Sequence, residues 1–167
     1  MAELIQASSS VSSFESSNYE VFLSYKWEDT RNNFISFLHK ALKDSGINVF
    51  LDSKELWTGD AIGPAIESAI EGSKIWIPVF SSGYADSQWC LWELAQIVQC
   101  HRSNDHRLIL PIFCYVGPYD VQHQTGSRFE KAFQEHEKKF KPDIVKNWRD
   151  ALELVGNLKG EILDETK

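Results

Sequence analysis

Apolar segments and amphipathic helical segments alternate along the chain, which predicts an α/β fold with a doubly wound parallel sheet. Four of the segments are short, apolar and β-prone, and they lie at 19–25, 47–51, 74–80 and 107–116. They lack polar alternation, so helices should cover both faces of their sheet. With about five strands the expected order is 2-1-3-4-5, and ligands bind such sheets beyond the carboxyl ends of the strands, where the order reverses.

The segments between these strands have helical periodicity. The stretch "TRNNFISFLHKALKDSG" carries one apolar stripe and ends at a glycine that favours helix termination. A second helix should begin near Asp60, and a third at Asp86 or Ser87. The expected stripe of the first helix is Phe34, Phe37, Leu38, Ala41 and Leu42, and that of the second is Ile62, Ile66, Ala69 and Ile70.

The remaining segments define the limits of a single domain over residues 19–160. Residues 1–18 are serine-rich and predict a disordered tail, and residues 161–167 are expected to form a C-terminal tail or the start of a linker. Residues 116–126 are expected to form a loop, followed by two helices near 127–140 and 143–158. A fifth strand has no clear segment, and its weakest candidate lies around Pro142.

Composition excludes several kinds of partner. The chain has 167 residues and a net charge of −7, which argues against a dedicated nucleic-acid surface. No signal-peptide pattern opens it, and its longest apolar run, 108–116, is far shorter than a membrane span. Cys90, Cys100 and Cys114 lie in apolar segments, which indicates small buried side chains and a reducing intracellular compartment.

The charge is distributed unevenly. Residues 126–160 hold 8 basic and 6 acidic side chains, a balance of +2, whereas the rest holds 9 basic and 18 acidic ones, a balance of −9. Two copies of such a chain could attract each other head to tail. A solvated surface with chance asymmetry is the alternative.

One carboxylate lies among tryptophans, cysteines and aliphatic residues in "SSGYADSQWCLWELAQIVQC". On a helical wheel Glu93 falls at the border of the apolar face. The helix follows the third predicted strand, so Glu93 can point into the crevice between the strand ends at 24–27 and 80–84. The alternative is a boundary glutamate with a solvated head group.

The residue patterns of several other kinds of functional site are missing from the sequence. No P-loop or dinucleotide-binding glycine pattern is present. The acids that a receiver domain needs after its first and third strands are missing, as is a hydroxyl-rich phosphate loop after the first. The histidines and cysteines show no metal-ligand spacing, and Cys90 has no histidine in register to activate it as a nucleophile.

Three stretches together resemble a plant TIR domain, the amino-terminal module of intracellular disease-resistance receptors. They are "YEVFLSYKWEDTRNNFISFLHKAL", "SSGYADSQWCLWELAQIV" and "LILPIFCYVGPYDVQHQTGSRFEKAF". The resemblance covers about residues 19–160. It implies a flavodoxin-like TIR fold and, on self-association, cleavage of NAD+ or NADP+ into nicotinamide and ADP-ribose-type immune signals.

The resemblance also implies site residues. The family's catalytic glutamate, in its W-C-L-x-E-L motif, corresponds to Glu93. Its mobile loop corresponds to 52–64, including Gly59, and its tryptophan at the start of the third helix corresponds to Trp89. No cofactor or metal is implied, because NAD+ or NADP+ is the substrate.

The segment after the first strand departs from the family pattern of serine-phenylalanine-arginine-glycine, since Tyr25, Lys26 and Trp27 follow Ser24. All three are predicted to contact substrate. Lys26 is expected to meet the diphosphate together with Arg31. Trp27 could stack on a base, as Trp89 could, or narrow the pocket entrance.

The family's self-association surface in the first helix corresponds to Ser36 and Phe37. A phenylalanine stands where the family often has histidine, and Phe37 also belongs to the predicted apolar stripe, so packing could be its whole role. Other TIR domains are therefore the expected partners. The cytoplasm is the expected compartment, with the nucleus as a second one, and neither nucleic acid nor membrane is expected as a partner.

Two function classes follow from the sequence. The first is an NAD(P)+ nucleosidase activated by oligomerisation, which the presence of Glu93 in its motif favours. The second is a non-enzymatic TIR scaffold that associates with other TIR domains. A third possibility, nucleic-acid-dependent synthesis of cyclic nucleotides, is disfavoured by the net acidity of the chain.

Overall fold

The computed structural model describes residues 19–30, 34–51, 63–103 and 107–164. Within these residues a parallel sheet carries helices on both faces, as the sequence predicts. The strands are β1 (Val21–Tyr25), β2 (Val49–Leu51), β3 (Ile75–Phe80), β4 (Leu108–Ile109), β5 (Ile112–Cys114) and β6 (Glu161–Leu163). The helices are α1 (Trp27–Thr30), α2 (Ser36–Asp44), α3 (Pro64–Gly72), α4 (Gln88–Ser103), α5 (Pro118–His123), α6 (Ser127–Lys139) and α7 (Pro142–Gly156), and a 3₁₀ turn covers Tyr84–Asp86.

The strand order is β2-β1-β3-β5-β6, with β4 paired to β3 beside β5. All the pairings are parallel. The predicted fourth strand is split into β4 and β5 around Pro111, which has no backbone N–H to donate to a neighbouring strand. Counting β4 and β5 as one strand gives the predicted order of 2-1-3-4-5, so the prediction is confirmed. The reversal of order lies between β1 and β3.

Side chains of β1 alternate between two hydrophobic clusters, one on each face of the sheet. Phe22 belongs to the larger cluster, which includes residues of α3, α4, α6 and α7. Leu23 and Tyr25 belong to the smaller cluster, against which Leu38 and Leu42 of α2 pack. Ser24 shares the face of Phe22, so its hydroxyl points toward the larger cluster.

The fifth position of the sheet is filled by β6, which the sequence analysis assigned to a C-terminal tail. Its three residues pair with β5, Ile112 opposite Glu161 and Cys114 opposite Leu163. The chain enters β6 at Gly160, where a Cβ atom would collide with the carbonyl oxygen of Pro111. The alternative location around Pro142 is wrong, because that residue opens α7.

Two further expectations are corrected. Residues 118–123 form a short helix, α5, where a loop was predicted, and Pro118 occupies its first turn. In α2 the apolar stripe is rotated: Leu38 and Leu42 are half-buried, whereas Phe37 is 72% exposed and Ala41 is exposed. Phe37 therefore does not pack in the core.

The three cysteines are reduced and buried, as predicted. Within the described residues, no helix combines the length and the apolar character needed to cross a bilayer.

Candidate active site

Glu93 lies inside the molecule, beside the carboxyl end of β1. Its side chain is 1% exposed, and the Ser24 hydroxyl donates a hydrogen bond of 2.7 Å to its Oε1 atom. The alternative of a boundary glutamate with a solvated head group is therefore wrong. Positions at the border of the apolar face of α4 can be buried because β1, the 3₁₀ turn, α3 and α7 all pack against this helix. On the α7 side, the rings of Trp92 and Trp148 meet edge to face.

A second hydroxyl extends this contact. The Tyr84 hydroxyl lies 2.7 Å from the Ser24 Oγ atom and 3.2 Å from the Cys90 carbonyl oxygen, and its single proton can be donated to either acceptor. Tyr84 is fully buried. Burial, followed by the nearby Cys90 and Glu93, raises the pKa of Tyr84 well above its ordinary value, so this hydroxyl stays protonated.

The surroundings of Tyr84 hold it in place. Its ring packs edge to face on Phe80, with 4.8 Å between ring centroids. The next residue in the 3₁₀ turn, Ala85, has its carbonyl oxygen 2.7 Å from Nε2 of His136, a buried side chain of α6. The hydroxyl of Tyr84 is thereby fixed by strand, turn and helix contacts.

A charged cluster lies nearby at the surface, around Asp86 at the end of the 3₁₀ turn. Arg128 of α6 contacts the Asp86 Oδ2 atom with two nitrogens, at 2.9 Å and 2.7 Å, and Lys26 lies 3.7 Å from the same oxygen. The hydrogen bond from Arg128 to Asp86 raises the pKa of the guanidinium. Lys26 and Arg128 thus bring two cations to one carboxylate beside the end of β1.

Asp29 connects α1 to the segment after β3. Its Oδ2 atom accepts hydrogen bonds from the Ser81 hydroxyl at 2.6 Å and from the Gly83 amide at 3.0 Å. A Cβ atom at Gly83 would lie 2.7 Å from that oxygen and 2.6 Å from a nitrogen of Arg128. A larger residue at this position would therefore require Arg128 or Asp29 to shift.

A cleft of about 620 Å³ adjoins the charged cluster, between the 3₁₀ turn and α6. Its lining includes Asp86, Arg128, Lys131 and Lys139, and it does not include Glu93.

The structure separates the predicted site residues into three groups. Lys26 is half-buried beside Asp86, and Trp89 is half-buried in the first turn of α4. The ring of Tyr25 belongs to the smaller cluster, on the opposite face of the sheet from Glu93, although its carbonyl oxygen accepts from the Cys90 thiol at 3.4 Å. Arg31, Gly59 and the side chain of Trp27 lie outside the described part of the chain.

Sequence reasoning did not select Ser24, Tyr84 or Arg128 as site residues. A polar residue one position before the end of an otherwise apolar strand was the available signal for Ser24. A tyrosine shortly before the helix that carries the carboxylate was the signal for Tyr84. Arg128 is 42 residues from Asp86 in the chain, and only the fold brings them together.

The fold and this site define an α/β domain with a buried carboxylate beside the reversal of strand order. Its family is shown directly, because the family model described as the TIR domain matches residues 18–167. The chain belongs to the TIR domain family.

Its similar relatives are plant resistance proteins. The chain is 47% identical over 156 residues to TMV resistance protein N of Nicotiana glutinosa, covering 92% of this chain and 13% of that protein. It is 42% identical over 160 residues to Disease resistance protein RPV1 of Vitis rotundifolia, covering 95% of this chain and 11% of that protein. The chain thus spans a small part of the length of these relatives.

A solved structure agrees with this relationship. It contains the TIR domains of the activated Roq1 resistosome, and that resistosome directly recognizes the pathogen effector XopQ. Its TIR domain superposes on this chain with a TM-score of 0.79 at 38% sequence identity. The match covers 89% of this chain and 90% of that chain.

Proposed function

We propose that this domain is an NAD(P)+ nucleosidase that releases nicotinamide and ADP-ribose-type signals in plant innate immunity, and that self-association activates it. The observation that supports the proposal most directly is the position of Glu93. A carboxylate held by a buried hydroxyl, at the carboxyl end of β1, is a preorganised negative charge at the expected ligand crevice. Glu93 also corresponds to the catalytic glutamate in the W-C-L-x-E-L motif of plant TIR domains.

The reaction suits a lone carboxylate. The bond between the ribose C1′ atom and the nicotinamide nitrogen breaks, and its electron pair leaves with nicotinamide, which departs neutral without an acid. Positive charge develops on the ribose ring, as in glycoside cleavage, and the Glu93 carboxylate stabilises it. Water then adds at C1′ and releases a proton, which gives ADP-ribose.

Cations near the end of β1 suit the diphosphate of the substrate. Lys26 and Arg128 share Asp86, so the charge they present is partly neutralised. A diphosphate that displaces Asp86 from Arg128 would gain a planar, two-pronged partner. Arg128 is accordingly proposed as a substrate-binding residue beside Lys26.

The burial of Glu93 fits activation by assembly. At 1% exposure the carboxylate is covered, so neighbouring groups must move before a nucleotide ribose can touch it. Self-association can supply the free energy for such a rearrangement. Phe37 supports a contact between copies, because its exposed ring presents apolar surface beside Ser36 on α2.

Charge attraction is a weaker basis for self-association. Among the described residues, at least four basic side chains of 126–160 form ion pairs within the chain: Arg128, Lys138, Lys146 and Arg149. The field that this segment presents to a second copy is reduced accordingly. Apolar contact through α2 is therefore proposed as the main contribution, in a cytoplasmic setting.

The decisive experiment compares Glu93→Gln with Glu153→Gln, an exposed glutamate of α7, in concentrated protein incubated with NAD+ or NADP+. Nicotinamide release should fall at least about a hundredfold in Glu93→Gln, because the side chain keeps its size and loses its charge. Glu153→Gln should retain the parent rate. A Glu93→Gln protein with the parent rate and the parent melting curve would show that Glu93 is not catalytic.

A non-enzymatic scaffold is the second candidate, and the covered state of Glu93 together with the exposed Phe37 favours it. The two functions differ in one measurement. Specific activity that rises with protein concentration supports the enzyme, whereas association without nicotinamide release at any concentration supports the scaffold.

A further inference from the structure

Two hydroxyl protons serve three acceptors around Glu93. Ser24 and Tyr84 each carry one proton, and the acceptors are the Glu93 Oε1 atom, the Ser24 Oγ atom and the Cys90 carbonyl oxygen. When Ser24 donates to Glu93, the proton between the two hydroxyls must come from Tyr84. The Tyr84 O–H bond then points to the Ser24 Oγ atom, 2.7 Å away, and not to the Cys90 carbonyl oxygen, which is 3.2 Å away.

The same atoms can also accommodate a neutral Glu93. A protonated carboxyl group would donate to Ser24, Ser24 would donate to Tyr84, and Tyr84 would donate to the Cys90 carbonyl. All the hydroxyl protons point one way in this state and the other way when Glu93 is ionised. Such a chain keeps a hydrogen bond at the Glu93 Oε1 atom in both charge states without moving a heavy atom.

We propose that Ser24 and Tyr84 are positioning residues that orient the Glu93 carboxylate and stabilise its ionised form through a serial chain of hydroxyls. The proposal deepens the proposed function, on which its kinetic part rests. The effect of Tyr84 passes through Ser24, since Tyr84 bonds Ser24 and Ser24 bonds Glu93.

The surroundings of Ser24 and Tyr84 hold the two hydroxyl groups in position to orient Glu93. Ser24 is a fully buried residue of β1, a strand paired on both sides. Tyr84 is held by Phe80 and by the contact of His136 with Ala85. The ionisable groups that act on the Tyr84 hydroxyl include the Cys90 thiol and the Glu93 carboxylate, both from α4.

The test is a double-mutant cycle on Tyr84→Phe and Ser24→Ala, with Tyr119→Phe, an exposed tyrosine of α5, as the matched control. Each single variant should lower kcat for nicotinamide release about ten- to a hundredfold, as expected for loss of a hydrogen bond to a charged chain. In the Ser24→Ala protein, adding Tyr84→Phe should change kcat by less than about twofold, because the link is already broken. Additive losses would overturn the serial arrangement.

A second readout does not depend on turnover. Glutamate labelled with ¹³C at the carboxyl carbon reports ionisation, and the Glu93 resonance is the one missing in Glu93→Gln. Its titration midpoint should move to higher pH in each single variant, since loss of a donor favours the neutral acid, with no further movement in the double variant. Unchanged midpoints in both single variants would overturn the proposal, even in a protein that releases no nicotinamide.

The proposal can still be tested if one of the variants does not fold. Tyr84→Phe keeps the ring that packs on Phe80, so its titration decides the proposal if Ser24→Ala does not fold. If the wild-type protein releases no nicotinamide but the midpoints shift as expected, the nucleosidase function fails and the hydroxyl chain stands.

Discussion

Helices α2 and α4 break the usual amphipathic arrangement in opposite directions. On α2 the aromatic ring of Phe37 is 72% exposed, whereas on α4 the carboxylate of Glu93 is 1% exposed. An exposed ring gives up hydrophobic stabilisation, and a buried charge costs free energy unless hydrogen bonds compensate it. Each departure is therefore a candidate functional feature, one for association and one for chemistry.

The difference follows from how the two helices are enclosed. Residues of α4 pack against the sheet, the 3₁₀ turn and neighbouring helices, so its border positions are buried along with its apolar face. Helix α2 has no buried residue in its span, and it contacts the smaller cluster through half-buried leucines. Several neighbouring elements thus bury the side chains of α4, whereas only one narrow apolar stripe of α2 contacts the rest of the domain.

The largest expected effect compares leucines on the two helices. Leu94→Ala on α4 should lower the free energy of unfolding by about 2–5 kcal/mol, because the residue is fully buried and its removal leaves a cavity. Leu38→Ala on α2 should cost clearly less, since that side chain is half-buried and water can fill the space. Urea unfolding of both variants measures this, and equal losses would show that the two helices are packed alike.

A smaller change in the free energy of unfolding is expected in alkaline solution, where Tyr84 loses its proton. Burial raises the pKa of Tyr84 above its ordinary value of 10.0, so the unfolded chain loses that proton first. The stabilisation is complete below about pH 10 and declines as the pH rises above it. Urea midpoints between pH 8 and pH 11 should therefore fall more steeply in the wild type than in Tyr84→Phe.

The buried cysteines provide the background for that comparison. Burial also raises the pKa of Cys100 and of Cys114, and both thiols are present in the wild type and in Tyr84→Phe. Their alkaline contribution cancels in the difference between the two proteins. Parallel curves for the two proteins would mean that Tyr84 ionises equally in the folded and unfolded states.

The smallest effect on folding is expected at Phe37. Phe37→Ser should change the free energy of unfolding by no more than about 0.5 kcal/mol, because an exposed side chain loses few contacts. The same variant should weaken self-association in sedimentation velocity experiments. Ala41→Ser, one turn further along the exposed side of α2, is the control, and equal association of all three proteins would exclude Phe37 from the interface.

The sequence predicted those features that depend on local patterns. Runs of apolar residues marked β1 and β3, and helical spacing located α6 and α7. It missed β6, since Glu161–Leu163 has no strand pattern of its own and is ordered by pairing with a distant strand. Similarly, Glu93 was found through its motif, but its burial and its contact with Ser24 arise from elements far apart in sequence.

The pairing of β6 also has a consequence for aggregation. Strand β6 covers one side of β5, whose residues Ile112–Cys114 are all buried. A fragment ending at Gly160 would turn β5 into an edge strand, with unpaired backbone donors and acceptors beside apolar side chains. Such an edge is a template for the strand of another molecule, so removing the last seven residues would favour edge-to-edge assembly over the native fold.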